Sequence, residues 1–338
     1  KKMALTKPYS IAGYKFSDVS LAFLEIELAN GVIGLGTGSP AEEVVGESAE
    51  MSAENLASDI LQTLVGQNIE DFQKLIANFR LHFAHLPGTQ AAIDIALHDA
   101  YGKYRGVSVV SLYGRKIDAL PTSVTIGIMS VAEALSEALA YEKLGFKILK
   151  VKTGVSVEED IERFQKIHEL VGNRMKIRVD PNQGYTLAEL QRFIAACPQA
   201  ELIEQPLPVG HEAQLADLKA RSPLPIFVDE SCFDERDIPQ LAPHIHGINI
   251  KLMKSGGLTA AKGLMATARA CGLQVMFGCY SDSTLANTAA LHLGAWADYL
   301  DLDSHLNLID DPFVGAAIAP GGRLVPTEAP GLGVQLRS

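Results

Sequence analysis

The sequence predicts an α/β fold: a (β/α)7β TIM-like barrel with an N-terminal α+β capping domain completed by the C-terminal tail. Three observations predict it. From Leu120 onward, apolar runs of strand length alternate with amphipathic stretches of helical length. Three of those runs end in an acid: KIRVD at Asp180, ELIE at Glu204 and IFVD at Asp229. The gaps are 204 − 180 = 24 and 229 − 204 = 25 residues, about one strand-plus-helix unit. Before Leu120 the pattern differs, with alternating strands followed by helical stretches.

The first segment, 1–118, reads as the capping domain. VSLAFLEIELANGVIGLGTGSP alternates on both sides of Asn30-Gly31, a strong hairpin signal. Helical patterns follow at roughly 47–65, 69–81 and 89–105, and TQAAIDIALHDAYGKY is apolar on one face. The barrel occupies 119–305. Its candidate strands are 122–127, 146–152, 175–180, 201–204, 225–229, 246–251, 273–277 and 298–303. Helical patterns fill the gaps at 131–143, 157–171, 186–196, 211–220, 234–242, 257–271 and 283–295. The tail, 306–338, is rich in Pro and Gly and is expected to pack back on the first domain.

Bulk composition narrows the function. The 29 basic and 40 acidic residues give a net charge of −11, so no basic surplus exists to meet phosphate. Nucleic acid and anionic membrane are therefore not expected partners; a small molecule is. The opening KKMALTKPYSIAGY has no apolar signal region, and no run of 18 apolar residues occurs. Cys197, Cys232, Cys271 and Cys279 form no CxxC pair and read as reduced thiols of a cytoplasmic protein.

In a parallel barrel, strand C-termini converge on one mouth, where catalytic residues sit. The polar residues at these ends are Thr125, Lys150, Lys152, Asp180, Glu204, Asp229, Lys251, Asp301 and Asp303. Asp180, Glu204 and Asp229 make a hard oxygen set suited to Mg²⁺, with Mn²⁺ as the substitute. Lys150 and Lys152 are two apart and share a face, which on a barrel strand is the interior. Beside a divalent ion and a second ammonium, Lys152 would have a depressed pKa and act as a base. Lys251 comes from across the barrel, so a substrate between the two lysines would have one on each face of its reacting carbon. A carboxylate on a divalent ion has an acidified α-proton, because removal gives an enediolate whose second charge the metal stabilises. Return of a proton to the opposite face inverts the carbon.

These residues carry a resemblance. KVK (150–152), DPNQ (180–183), EQP (204–206), DES (229–231) and NIKLMKSGG (249–257) resemble the enolase superfamily in its muconate-lactonizing-enzyme-like branch, over nearly the whole length. The resemblance implies Asp180, Glu204 and Asp229 as Mg²⁺ ligands, Lys152 and Lys251 as the acid/base pair, and Lys150 on the substrate carboxylate. YLDLDSHL (299–306) resembles the DxD of dipeptide epimerases, the Ala-Glu epimerase group. There the two aspartates, here Asp301 and Asp303, bind the free ammonium of a dipeptide. Thr125 belongs to the same strand-end set. Two departures stand out. GCYSDS offers Asp282 where relatives commonly carry glutamate, and the loop 11–19, expected to close over substrate, offers Tyr14 and Lys15 rather than an arginine. These departures leave the preferred dipeptide open, Ala-Glu or another.

Plainer readings were weighed beside these. A strand-end acid often caps the next helix; three in register with lysines on both sides do not fit that role alone. Lys254 reads as a solvated helix-start residue, His98 and Asp99 as structural, and GTGSP (36–40) as a turn, because it lacks the Lys-Ser/Thr of a phosphate loop. The expected function is Mg²⁺-dependent dipeptide epimerisation by a homo-oligomeric enzyme. The alternatives are o-succinylbenzoate synthase or muconate cycloisomerase chemistry, and a non-catalytic binding barrel.

Overall fold

The computed structural model describes residues 1–11 and 14–337, with side chains described outside 8–16. Eight parallel strands follow one another around a barrel: Val124–Ile126, Ile148–Lys152, Lys176–Asp180, Ile203–Glu204, Ile226–Val228, Gly247–Ile250, Gln274–Gly278 and Tyr299–Asp301. A parallel bridge between Thr122 and Leu300 brings the eighth strand back to the first. Each strand is numbered below by its place in this order.

Helices cover the outside at Val131–Lys143, Val157–Val171, Leu187–Ala196, Leu258–Ala270 and Thr284–Gly294. The first and third of these open with capping boxes, Ser130/Glu133 and Thr186/Glu189. Two expected helices are much shorter. Stretch 211–220 is a 3₁₀ turn at Glu212–Leu215 running into Ala216–Lys219, and stretch 234–242 keeps only Ile238–Leu241. Pro239 enters the second near its start and Pro243 follows its end, which limits it to about one turn.

The barrel floor is apolar. Leu202, Phe227 and Met276 are fully buried, and Tyr299 packs on Phe227 with ring centroids 5.4 Å apart. Gly247 on the sixth strand makes room for this ring, because a Cβ there would lie 2.3 Å from Phe227 Cε1. Arg178, fully buried on the third strand, stacks over Tyr299 at 5.0 Å and donates to Glu201 and to the Leu300 carbonyl. Register pairs Lys150 with Arg178 and Lys152 with Asp180, so the charged rows lie in order along the barrel axis.

The first domain begins with a hairpin, Lys2–Ile11 with Tyr14–Ser20, where a loop over 11–19 was expected. Tyr9 pairs with Phe16 and Ile11 with Tyr14, so the described part of this segment is paired backbone. The Asn30-Gly31 hairpin follows as Ala22–Glu27 and Ile33–Gly38. GTGSP is therefore the end of a strand rather than a turn. The expected helix 47–65 breaks at Ala57-Ser58 into Ala49–Leu56 and Asp59–Gln62.

The long helix Pro87–Arg105 holds the domain together. Its Gly88, Ala92, Ala96 and Ala100 face Gly34, Gly36 and Gly38, where a Cβ would approach helix atoms at 2.4, 2.0 and 2.7 Å. Two strand residues and one helical turn advance by nearly the same distance, which lets the two rows mesh.

The tail joins both units. Leu324 pairs with Leu120 at the start of the barrel, while the Leu332 amide donates to Asp99 of the long helix at 2.8 Å. Asp99 also accepts from the Leu35 amide and Lys103, and is a buried structural acid. No helix among the described residues is long and apolar enough to cross a membrane.

Candidate active site

The acids and lysines expected at the mouth meet there, and all but the half-buried Asp303 are buried. Lys150 and Lys152 project from the second strand, Asp180 ends the third and Glu204 the fourth. Asp229 and Lys251 directly follow the fifth and sixth. In an eight-stranded barrel the second and sixth strands stand opposite one another, so Lys152 and Lys251 enter from opposite walls. Lys152 Nζ donates to Asp180 Oδ2 at 2.7 Å and to Asn182 Oδ1 at 2.9 Å. Lys251 Nζ lies 2.7 Å from Asp229 Oδ2 and 4.3 Å from the centroid of the Tyr280 ring.

Lys150 stands among three carboxylates, at 3.0 Å from Asp180, 2.8 Å from Glu204 and 2.7 Å from Asp301. Burial works against its charge, but these acids outweigh burial and hold its pKa well above the usual lysine value. The same balance keeps Lys251 high, chiefly through Asp229. Burial would raise Asp180, yet Lys150 and Lys152 bring it down to about 2. Asp229 is likewise held low against burial by Lys251 and Lys254. Glu204 goes the other way: burial and the neighbouring Asp180 raise it.

Asp180, Glu204 and Asp229 place buried carboxylates on three successive strands, and an ammonium stands 2.8 Å from Glu204 Oε2 and 2.7 Å from Asp229 Oδ2. Hard oxygens grouped in this way, already facing cations, fit Mg²⁺. Among the described residues the acids do not form a ready-made cage. Lys150 holds the space between them, so an ion would share their charge with it. Asn249 Nδ2 donates to Glu204 Oε1 at 2.7 Å and orients that carboxylate.

The loops after the third and fourth strands are strained where they pass the acids. Asn182, Gln183 and Gln205 have φ of +44°, +70° and +36°. Local bonds hold them: the Asn182 amide on Asp180 Oδ1 at 3.0 Å, and Gln205 Oε1 accepting from the Asp229 amide at 2.8 Å.

Asp301 ends the eighth strand and is ion-paired with Lys150 while accepting from Ser123 Oγ at 2.6 Å. Asp303 has left the strand, with φ −112° and ψ −12° at the start of a 3₁₀ turn. Strand alternation therefore does not align the two aspartates as expected. They are brought to one side instead by the first strand, where the Thr125 amide donates to Asp303 Oδ2 at 2.7 Å. Burial and Asp301 push Asp303 up to about 6.

Asp282 is buried against the first domain, accepting from Ser39 Oγ at 2.5 Å, and burial raises it to about 6. A second tie lies beside it: Asp94 of the long helix accepts from the Leu258 and Thr259 amides and so caps the helix Leu258–Ala270. The side chains of Tyr14 and Lys15 lie outside the described residues.

One residue at the site was misread in the sequence, Lys254, and two went unread, Glu230 and Tyr280. Lys254 is buried, not solvated: its Nζ donates to the Asp229 side chain at 2.7 Å, to the Asp229 carbonyl, and to the Asn249 carbonyl at 3.1 Å. Its spacing of three from Lys251 was the available signal. Glu230, next to Asp229, is raised to about 7 by burial and by Asp229 and Asp180. Tyr280 is half-buried, and its buried hydroxyl has no hydrogen-bond partner among the described residues.

Comparison with known proteins follows this geometry. Residues 1–114 match the N-terminal domain model of mandelate racemase / muconate lactonizing enzyme, and residues 131–338 match the model described as enolase C-terminal domain-like. The chain belongs to the mandelate racemase/muconate lactonizing enzyme family. Within it, the chain is 40% identical to an L-Lys-D/L-Arg epimerase from Desulforapulum autotrophicum, covering 98% of this chain and 96% of the relative. It is 30% identical to an L-Ala-D/L-Glu epimerase from Clostridium acetobutylicum, over 98% and 95%. The crystal structure of a dipeptide epimerase from Methylococcus capsulatus, complexed with Mg and the dipeptide L-Arg-D-Lys, superposes with a TM-score of 0.95 at 39% identity, covering 99% of this chain and 97% of that one.

Proposed function

We propose that this member of the family is a Mg²⁺-dependent dipeptide epimerase that inverts the α-carbon of the C-terminal residue. The observation that carries it is the pair of buried lysines, Lys152 and Lys251, on opposite walls of one carboxylate-lined mouth. Asp180, Glu204 and Asp229 would hold the ion, which when bound supplies positive charge that makes the α-proton of a substrate carboxylate acidic. Lys150 adds positive charge for that carboxylate. Lys152 and Lys251 take up and return the α-proton from opposite faces. Asp303 and Asp301 receive the peptide ammonium, Thr125 holds Asp303 in place, and Asp282 borders the pocket. An ammonium receptor distinguishes this reading from synthase or cycloisomerase chemistry, whose substrates carry none.

A dipeptide with basic side chains fits best. The mouth gathers seven acids (Asp180, Glu204, Asp229, Glu230, Asp282, Asp301 and Asp303) against four lysines (150, 152, 251 and 254). With all seven ionised, a divalent ion leaves a balance of −7 + 4 + 2 = −1, which favours a cation over an anion by a small margin. The more similar relative, at 40% against 30% identity, is the Lys/Arg enzyme. A cytoplasmic setting belongs to the same proposal and is supported by four free cysteines.

The test is α-proton exchange in D₂O with Mg²⁺, offering L-Lys-L-Arg beside L-Ala-L-Glu. Deuterium entering the C-terminal residue, with L,D product and a preference for the basic dipeptide, is the expected result. Absence of exchange with every dipeptide offered would sink it.

A further inference from the structure

Resting on the epimerase reading, we propose that Glu230 is a positioning residue for Lys152, acting through Asn182, and that it serves one face of the substrate only. The chain of contacts is short. Lys152 Nζ donates to Asn182 Oδ1 at 2.9 Å, and Asn182 Nδ2 donates to Glu230 Oε1 at 3.3 Å. An ammonium can only donate, so the amide must turn its oxygen to Lys152. Its nitrogen then needs an acceptor on the far side, and Glu230 provides one. The Asn182 backbone cannot drift to compensate, because it is fixed at φ +44° with its amide on Asp180 Oδ1 at 3.0 Å. Among the described residues Glu230 has no competing side-chain bond there: its second oxygen is buried and has no hydrogen-bond partner among them.

Lys251 is held by other means, the Asp229 carboxylate and the Tyr280 ring. Among the described residues no hydrogen bond joins Glu230 to Lys251. The two proton-carrying lysines thus have separate hydrogen-bonded supports, Glu230 reaching Lys251 only by Coulombic attraction, and damage to the Asn182 support shows chiefly on one face. With the Glu230 carboxyl gone, the Asn182 amide is free to turn its NH₂ toward Lys152, donor against donor. The ammonium then loses one of the two bonds that fix its place.

The experiment compares α-proton exchange in D₂O starting from the L,L and from the L,D epimer. Lys152→Ala identifies the epimer that depends on Lys152. Glu230→Leu should slow exchange from that same epimer by at least about tenfold, the size of a lost hydrogen bond to a charged group. Exchange from the other epimer should be unchanged. Glu230→Gln, whose carbonyl still accepts from Asn182, should restore most of the rate. Equal loss from both epimers, no loss, or loss that glutamine does not rescue would overturn the proposal. If Glu230→Leu does not fold, Asn182→Ala breaks the chain at its middle and must give the same one-sided loss. Failure of the unmodified protein to exchange either epimer is a different result, which removes the epimerase reading itself.

Discussion

The barrel mouth and the seam beneath the long helix solve the problem of burial in opposite ways. At the mouth, four lysines and their acids are taken out of water and made tolerable only by one another. At the seam, Gly34, Gly36 and Gly38 meet Gly88, Ala92, Ala96 and Ala100, and almost no side chain is present. Desolvating ions gains stability only when geometry and hydrogen bonds are close to complete. Backbone-to-backbone packing at the seam instead gains dispersion contacts, with little side-chain entropy lost. The mouth is thus arranged for chemistry at a cost in stability. The seam is arranged for stability and carries no chemistry. Substitutions should separate the two regions accordingly.

The largest effect on the mouth is expected at Lys150. Replacing it with Met leaves Asp180, Glu204 and Asp301 without the ammonium that stands between them. Breaking a buried pair from one side costs about 3–5 kcal/mol. Mg²⁺ should recover much of this, because a cation bound to the folded state restores the missing charge. Thermal melts of both proteins with and without Mg²⁺ check it: the ion should raise the melting temperature of Lys150→Met more than that of the unmodified protein. An equal rise would mean that Lys150 and the ion do not share these acids.

At the seam the matching change is Gly36→Val. A Cβ there would lie 2.0 Å from the Ala92 carbonyl oxygen, and helix backbone cannot give way as a flexible side chain can. The expected cost is about 3 kcal/mol, the upper range for overpacking. Urea unfolding measures it. Exchange activity per folded molecule should stay as it was, and a loss of activity without loss of stability would break the division between the two regions.

The two regions were also unequally legible in the sequence. The barrel announced itself because a parallel strand is mostly apolar inside and gathers its catalytic polar residues toward its C-terminal end, so strand-end acids recur with the strand-helix period. That rule placed Asp180, Glu204, Asp229 and the lysines before any coordinates. It failed where a residue leaves the strand. Asp303 reaches Asp301's side through the Thr125 amide, and no side-chain period encodes a bond to backbone. Lys254 looked solvated because a helix-start lysine usually is, and only the position of Asp229 reveals why it is buried. The seam was misread for a related reason. GTGSP carries turn residues, and its true partner is a row of small residues more than fifty positions later, a pairing that only the tertiary fold exposes.

The smallest of these effects lies where the two regions touch, at Asp282 and Ser39. Burial raises the Asp282 carboxyl to about 6, despite the bond from Ser39 at 2.5 Å. A carboxyl raised in the folded state binds more protons folded than unfolded, so its share of stability falls as pH climbs from about 4 through about 6. The cost is complete above that range and absent below it. Asp282→Asn mimics the protonated form and keeps an acceptor for Ser39. It should therefore be more stable than the unmodified protein by about 2 kcal/mol at pH 8 and equal to it near pH 4. Urea unfolding of both proteins at the two pH values measures the difference. A variant that gains nothing at pH 8 would show that Asp282 is ionised without penalty.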